Sequence, residues 1–328
     1  ASGSEANELA LRLARAYTGA RDLLVMESAY HGHTTTLIDI SPYKHDGPGG
    51  SGAPAWVHTT PIPDWYRAGV RPGDAGPWFA AQVGEVVDRL TASGRALCGY
   101  IAETCPSVGG QIMMPPQFLS RVYAHVRAAG GVCIADEVQT GFGRLGTHFW
   151  GFEREGVTPD IVVMGKPIAN GYPMGAVVTT PAIAAAFNNG MEYFSTFGGS
   201  TVACVAAAET LRVVHDERLQ AHALSVGQRL RDGFSAIMEA YEPVGDVRGS
   251  GLFWGVELVR DRTTREPDAD AAAFVVQRMR ERGVLVGTDG PHHNVIKVRG
   301  PMVLSMSDAE QMVLVMREAL REAETLRL

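Results

Sequence analysis

Lysine is nearly missing from this chain. Of 29 basic residues in 328, three are lysines, Lys44, Lys166 and Lys297, and the rest are arginines. Any chemistry that needs a lysine amine therefore has three candidates. Cysteine is scarce too. Cys98, Cys105, Cys133 and Cys204 form no C-x-x-C pair, which argues against a zinc or disulfide framework. Their mostly apolar surroundings indicate buried free thiols in a reducing compartment, here expected to be the cytoplasm. No apolar run reaches the roughly 18 residues of a membrane span. The first ten residues, ASGSEANELA, lack the basic stretch and apolar core of a secretory leader. Positive charge is not in excess: 36 acidic residues give a net charge of −7, which disfavours a general binder of nucleic acid or membrane surface.

What is present is ordinary globular composition, 45% hydrophobic and 20% charged, in a length that favours two domains. Strands are predicted at 23–27, 99–103, 132–136, 161–164 and 176–180. Helices are predicted at 4–17, 79–91, 116–129, 202–215, 218–241, 268–282 and 307–324. Val- and Ile-rich strands alternating with helices imply an α/β fold with a largely parallel sheet covered on both faces. Residues 42–78, rich in Gly, Pro and Trp, read as a long irregular excursion. After about residue 218 the character changes, and short strands are expected at 247–259, 284–287 and 295–298. The division is therefore 1–217, a large domain, and 218–328, a smaller α+β domain, with helix 218–241 as connector.

Several motifs fail on context. Gly47, Gly49, Gly52 and Gly141, Gly143, Gly146 both match G-x-G-x-x-G, but neither lies between a strand and a helix as a dinucleotide site requires. Walker A, H-E-x-x-H and G-x-S-x-G patterns do not occur. His31 and His33, with Asp136 or the His292–His293 pair, make at best half a metal site, and no metal is expected.

Four features remain, each with a physical task. Ser2, Gly3, Ser4 and Glu5 precede a helical run. Gly3 admits close backbone approach, Ser4 reads as the N-cap, and a helix N-terminus favours an anion. Residues 132–137 (VCIADE) end an apolar strand in two acids, where open α/β sheets bind ligands. Residues 161–166 (IVVMGK) deliver Lys166 in the same way. A lysine partly desolvated there can lose its proton and act as a Schiff-base amine. Tyr30, just after the first strand, can stack on a flat ring. Each feature also has a plain structural reading. Together they supply a phosphate cradle, a ring stacker, a carboxylate for a ring nitrogen and a Schiff-base lysine, the set that pyridoxal 5′-phosphate (PLP) requires.

With those residues in hand, the sequence resembles the class III aminotransferases, PLP enzymes of fold type I, from residue 1 to the end. The motifs are residues 2–7 (SGSEAN), 30–32 (YHG), 135–144 (ADEVQTGFGR), 165–175 (GKPIANGYPMG) and 194–199 (FSTFGG). The resemblance implies roles. Gly3 and Ser4 bind the cofactor phosphate. Tyr30 stacks on the ring with His31 beside it, and Glu103 lies near cofactor and substrate. Asp136 pairs with the ring nitrogen, Val138 packs on the other ring face, and Gln139 reaches the phenolic oxygen. Lys166 forms the Schiff base. Thr196 binds the phosphate of the neighbouring subunit's cofactor, which implies a homodimer with shared active sites. The chain opens inside the phosphate-binding motif, so the family's preceding segment is expected to be absent.

A narrower resemblance points to the branch holding the ethanolamine-phosphate and 5-phosphohydroxylysine phospho-lyases. It rests on residues 30–44 (YHGHTTTLIDISPYK), 107–116 (SVGGQIMMPP), 190–199 (GMEYFSTFGG) and 289–298 (DGPHHNVIKV), together with Pro63, Asp64, Tyr66 and Arg67. It implies elimination of phosphate and ammonia from a phosphorylated amine such as O-phosphoethanolamine. The alternatives are a class III aminotransferase moving an amino group to a keto acid, a catalytically silent protein of the same fold, or a metal hydrolase. Lys44, His45, Arg67, His292, His293, Lys297 and Arg299 are the candidate cations for a substrate phosphate. Many family aminotransferases bind a substrate carboxylate through an arginine before Pro-Pro-Leu. Here Lys297 occupies the arginine's place and Gly300 replaces the first proline, which favours a substrate without a carboxylate.

Overall fold

The computed structural model describes residues 1–326. They form two compact units. The first comprises Ala1–Cys105, Met114–Phe142 and Trp150–Val213, and the second Pro106–Met113, Gly143–Phe149 and the chain from Val214 onward. The sequence suggested one cut after 217. The units instead divide after 213, and two loops return to the second unit. Local bonds account for this. Gly290 N–H donates to Val108 O at 2.9 Å, Arg248 Nη2 to Gly110 O at 2.7 Å, and Ser250 Oγ to Leu145 O at 2.7 Å.

The first unit contains strands β1 (Asp22–Met26), β2 (Val57–Thr60), β3 (Leu97–Glu103), β4 (Val132–Asp136), β5 (Ile161–Met164) and β6 (Ala176–Thr179). Its helices are α1 (Gly3–Thr18), α2 (Thr35–Asp39), α3 (Pro42–His45), α4 (Trp65–Ala68), α5 (Pro72–Ala92), α6 (Phe118–Ala128) and α7 (Pro181–Phe187), and α8 (Thr201–Asp216) begins there. The sheet order is β2-β1-β3-β4-β5-β6, parallel except for the antiparallel β5–β6 pair. Alternate strand residues serve opposite faces. Leu23, Val25, Ile101 and Ile134 pack with α1 residues Ala10, Leu11 and Ala14. Leu24, Met26, Tyr100 and Cys133 pack with α5 and α6 through Phe79, Val83, Leu119 and Val122. Being buried on both faces is why these strands read as continuous apolar runs.

Residues 42–78 are not the irregular excursion expected. They hold α3, β2, α4 and the start of α5. β2 escapes notice because it is a four-residue edge strand with only Val57 and Thr60 buried, set between Pro54 and Pro61. α5 starts early because Pro72 suits the first helical turn. Cys98, Cys105 and Cys133 are buried, whereas Cys204 is exposed on α8, unlike the other thiols. Among the described residues no helix is long and apolar enough to cross a membrane.

The second unit contains β7 (Val244–Ser250), β8 (Phe253–Asp261), β9 (Glu266–Pro267), β10 (Gly287–Asp289) and β11 (Val295–Val298), with α9 (Leu219–Ala240), α10 (Ala269–Glu281) and α11 (Met306–Leu326). The antiparallel sheet runs β10-β11-β8-β7, with β9 on β8. Leu230 and Phe234 of α9, Val275 and Met279 of α10, and Val315 and Met316 of α11 bury its apolar face with Val256 and Leu258. The expected strand 284–287 is displaced to Gly287–Asp289. The single strand expected at 247–259 is a hairpin, turning at Gly251 and Leu252. Gly251 has φ 56°, and a Cβ there would meet Arg144 O at 2.4 Å. Gly251→Ala is therefore expected to cost about 1–3 kcal/mol, combining a left-handed backbone with a clash against a carbonyl. A fall in the urea midpoint without a change in m checks it.

Candidate active site

Parallel register sets the carboxyl ends of adjacent strands side by side. Glu103 pairs in register with Asp136, and Asp136 with Val163. Lys166 follows β5 by two residues, and Tyr30 and His31 follow β1. Together with the N-terminus of α1, these strand ends enclose a cavity of about 370 Å³. Gly3, Ser4, Tyr30, His31, Glu103, Asp136, Val138, Gln139 and Lys166 all line it. Thr196, the remaining candidate, does not. It lines a neighbouring cavity with Arg12, Tyr193 and Phe197.

Asp136 is the best-held group. It is buried; its Oδ2 accepts from Asn7 Nδ2 at 2.9 Å and lies 2.8 Å from His31 Nδ1, while its Oδ1 accepts from Val138 N–H at 3.1 Å. Both oxygens are thus held in place by neighbouring groups. His31 Nε2 is buried and has no partner among the described residues, so the ring is fixed from the Asp136 side. Asn7 also donates to His31 O at 2.8 Å, bracing both residues.

Sequence reasoning assigned Asn7 no role. The available signal was a polar residue three positions after Ser4, on the stripe that α1 buries through Ala6, Ala10 and Leu11. The N-cap of α1 is Ser2, not Ser4: Ser2 Oγ accepts from Glu5 N–H at 3.3 Å. Ser4 lies inside the first turn, where its Oγ accepts from His33 N–H at 3.3 Å, joining α1 to the segment after β1.

Close approach shapes the floor. A Cβ on Gly165 would lie 3.1 Å from Gly3 Cα, and a Cβ on Gly3 would lie 3.0 Å from Val138 Cγ2. A larger residue at Gly165 would push the end of β5 away from the α1 N-terminus, and one at Gly3 would press on Val138 after β4. Lys166 itself has φ 39°, a sparsely populated conformation that the surrounding contacts must hold. Next to Asp136, Glu137 is fully buried. Thr104 and Thr140 hydroxyls donate to it at 2.9 Å and Phe152 N–H at 3.0 Å. Burial raises its pKa despite those bonds. Glu137 thus ties the segment after β3 to the one after β4. Burial, with Tyr43 close by, also raises the Tyr30 phenol.

The site thus offers a helix N-terminus for an anion, a carboxylate held by three donors, an amine at the next strand end and an aromatic wall. Among the described residues no group of three or more His, Cys, Asp or Glu side chains is placed to hold a metal ion. The family model for class-III aminotransferases matches residues 1–320. An alanine–glyoxylate aminotransferase 2-like protein of Drosophila melanogaster is 47% identical over 97% of this chain, which spans 66% of that protein. An ethanolamine-phosphate phospho-lyase homolog of Caenorhabditis elegans is 41% identical over 97% of this chain and 71% of its own length. Among solved structures, a phospholyase from Arthrobacter in complex with phosphoethanolamine superposes with a TM-score of 0.91 at 37% identity, covering 98% of this chain and 75% of that one.

Proposed function

Because the chain belongs to the class-III aminotransferase family, we propose that its site holds pyridoxal 5′-phosphate and eliminates phosphate and ammonia from a phosphorylated amine such as O-phosphoethanolamine. The mixed α/β fold is fold type I of that family. The observation that carries the cofactor reading is that braced Asp136 and Lys166 line one cavity, each at the end of one of two adjacent strands.

The residues fit the group. Gly3 and Ser4, at the α1 N-terminus, would hold its phosphate. Tyr30 and Val138 would flank its ring, and Gln139 would reach its phenolic oxygen. Asp136 would face its ring nitrogen, Lys166 its aldehyde, and Glu103 would lie near cofactor and substrate. When bound, the cofactor supplies an electron sink for the carbon that carries the amine. Asp136 would keep a proton on the ring nitrogen, and Asn7 and His31 keep Asp136 oriented. Lys166 Nζ takes the proton from the amine-bearing carbon. The C–O bond to phosphate then breaks, the electron pair leaving with the oxygen. With one water, O-phosphoethanolamine yields acetaldehyde, phosphate and ammonia.

Two features favour elimination from an amine without a carboxylate. The relatives include a phospho-lyase homolog and a phospholyase complexed with phosphoethanolamine. Lys297, at the position where many family aminotransferases carry a carboxylate-binding arginine, forms an ion pair with Asp289 at 2.7 Å. A second reading, amino transfer to a keto acid, draws on the similarity to an alanine–glyoxylate aminotransferase 2-like protein. A homodimer is part of the proposal. Phe194 and Phe197, 77% and 74% exposed, flank Thr196 and suit burial against a second copy in which Thr196 would reach the partner's cofactor.

The test supplies O-phosphoethanolamine without any keto acid. Release of phosphate and acetaldehyde in equal amounts is expected. Amine transfer that requires a keto acid, with no phosphate released, overturns the phospho-lyase reading in favour of the transaminase.

A further inference from the structure

We propose that Lys44 recognises the phosphoryl group of the substrate and so selects phosphorylated amines over unphosphorylated ones. The inference rests on the phospho-lyase reading and selects one of the seven candidate cations that the sequence offers for the substrate phosphate.

Lys44 is fixed beside the cavity wall. His31 N–H donates to Ser41 Oγ at 3.0 Å, and Tyr43 N–H donates to Ala29 O at 3.2 Å, so α3 is tied to the segment after β1. Tyr30, which lines the cavity, meets Tyr43 edge to face with centroids 6.1 Å apart. The Lys44 ammonium lies 5.8 Å from the Tyr30 centroid and 4.9 Å from that of Tyr43. The backbone behind it is closed by a return loop: Gly47 N–H donates to Lys44 O at 3.2 Å, and Gly52 N–H to His45 O at 2.9 Å.

The two rings hold the ammonium without neutralising it. Among the described residues, Lys44 has no carboxylate partner, whereas Lys297 is paired with Asp289. Lys44 is thus a cation left available for an anion in a chain of net charge −7. Its chemistry suits phosphate. Lysine is a compact point charge, adaptable to a tetrahedral dianion, whereas a planar carboxylate is best met by the arginine fork. Among the described residues, neither an arginine nor Lys44 lines the cavity itself, and Lys44 borders it through Tyr30, whose ring lines it. As the C–O bond breaks, negative charge grows on the departing phosphate, and a cation beside Tyr30 stabilises it.

The phosphoryl group Lys44 meets has two possible sources, the substrate or the cofactor, and the experiment separates them. The PLP-loaded protein is titrated with 2-aminoethylphosphonate, whose C–P bond cannot eliminate, and with propylamine. In Lys44→Met the ratio of the two Kd values is expected to move against the phosphonate by about 10–100-fold, while Lys44→Arg recovers part of it. An unchanged ratio overturns the assignment, as does weakened PLP affinity, measured by cofactor absorbance, without a change in the ratio. Phosphate release by the unmodified chain is followed in parallel. Its failure strikes the phospho-lyase reading, whereas an unchanged Kd ratio strikes Lys44 alone.

Discussion

Lys166→Ala is expected to lower kcat/KM by about 10⁴-fold, the upper end of what a positioned proton-transfer group contributes. It is also expected to abolish the visible absorption of the lysine-linked cofactor. Position supports the choice of this lysine. Lys166 alone among the three lines the cavity, at the end of a strand adjacent to that of Asp136. Lys44 lies over the Tyr30 and Tyr43 rings, and Lys297 is ion-paired with Asp289. Neither can take over a covalent role at the strand end. The side chain projects from a backbone at φ 39°, braced by Gly165 against Gly3, so its placement depends on the fold and not on local propensity. Removing the side chain leaves α1 and the Asp136 cluster intact, so folding should be nearly unaffected. Retention of activity or of the visible band would remove Lys166 from the mechanism. A parallel fall in thermal stability would assign the loss to unfolding instead.

The largely parallel sheet of the first unit, and the strand ends that line its cavity, were open to sequence reasoning because strands buried on both faces leave continuous apolar runs. Each such run here ends at a charged or polar group at the carboxyl edge. What escaped has identifiable causes. β2 buries too few apolar side chains to stand out among prolines and glycines. The β7–β8 hairpin reads as one strand because its turn, Gly251-Leu252, is tight and Leu252 is itself buried. The loops 106–113 and 143–149 join the second unit through bonds to Gly290, Arg248 and Ser250, partners distant in sequence and invisible to periodicity. At the site, Ser2 and Ser4 are equally good caps by composition, and only backbone geometry separates them. Asn7 closes the SGSEAN motif, but the motif names no partner for it. Its meaning arises from two acceptors, His31 O and Asp136 Oδ2, that the chain brings to it from 24 and 129 residues away.

That convergence makes Asp136 the second position where a single change should be decisive. Asp136→Asn is nearly isosteric, yet it replaces an acceptor-only group with one oxygen and one NH₂. Both carboxylate oxygens now face donors: Asn7 Nδ2 and His31 Nδ1 on one, Val138 N–H on the other. Whichever way the new amide turns, its NH₂ opposes a donor. Where it points at Oδ2's partners, His31 must change tautomer and Asn7 must turn or lose its bond. Where it points at Val138, a backbone N–H is orphaned, at a cost of about 1–3 kcal/mol. The larger loss is chemical. A neutral amide cannot stabilise a proton on the cofactor ring as a carboxylate does, so a fall in kcat of about 10²–10³-fold at saturating cofactor is expected. Asn7→Ala separates the two effects. It leaves the Asp136 charge in place and removes one brace, so it should lower kcat less than Asp136→Asn does. If the two variants lose kcat equally, orientation and not charge is what Asp136 supplies. If Asp136→Asn retains full kcat, the ring-nitrogen role does not belong to Asp136.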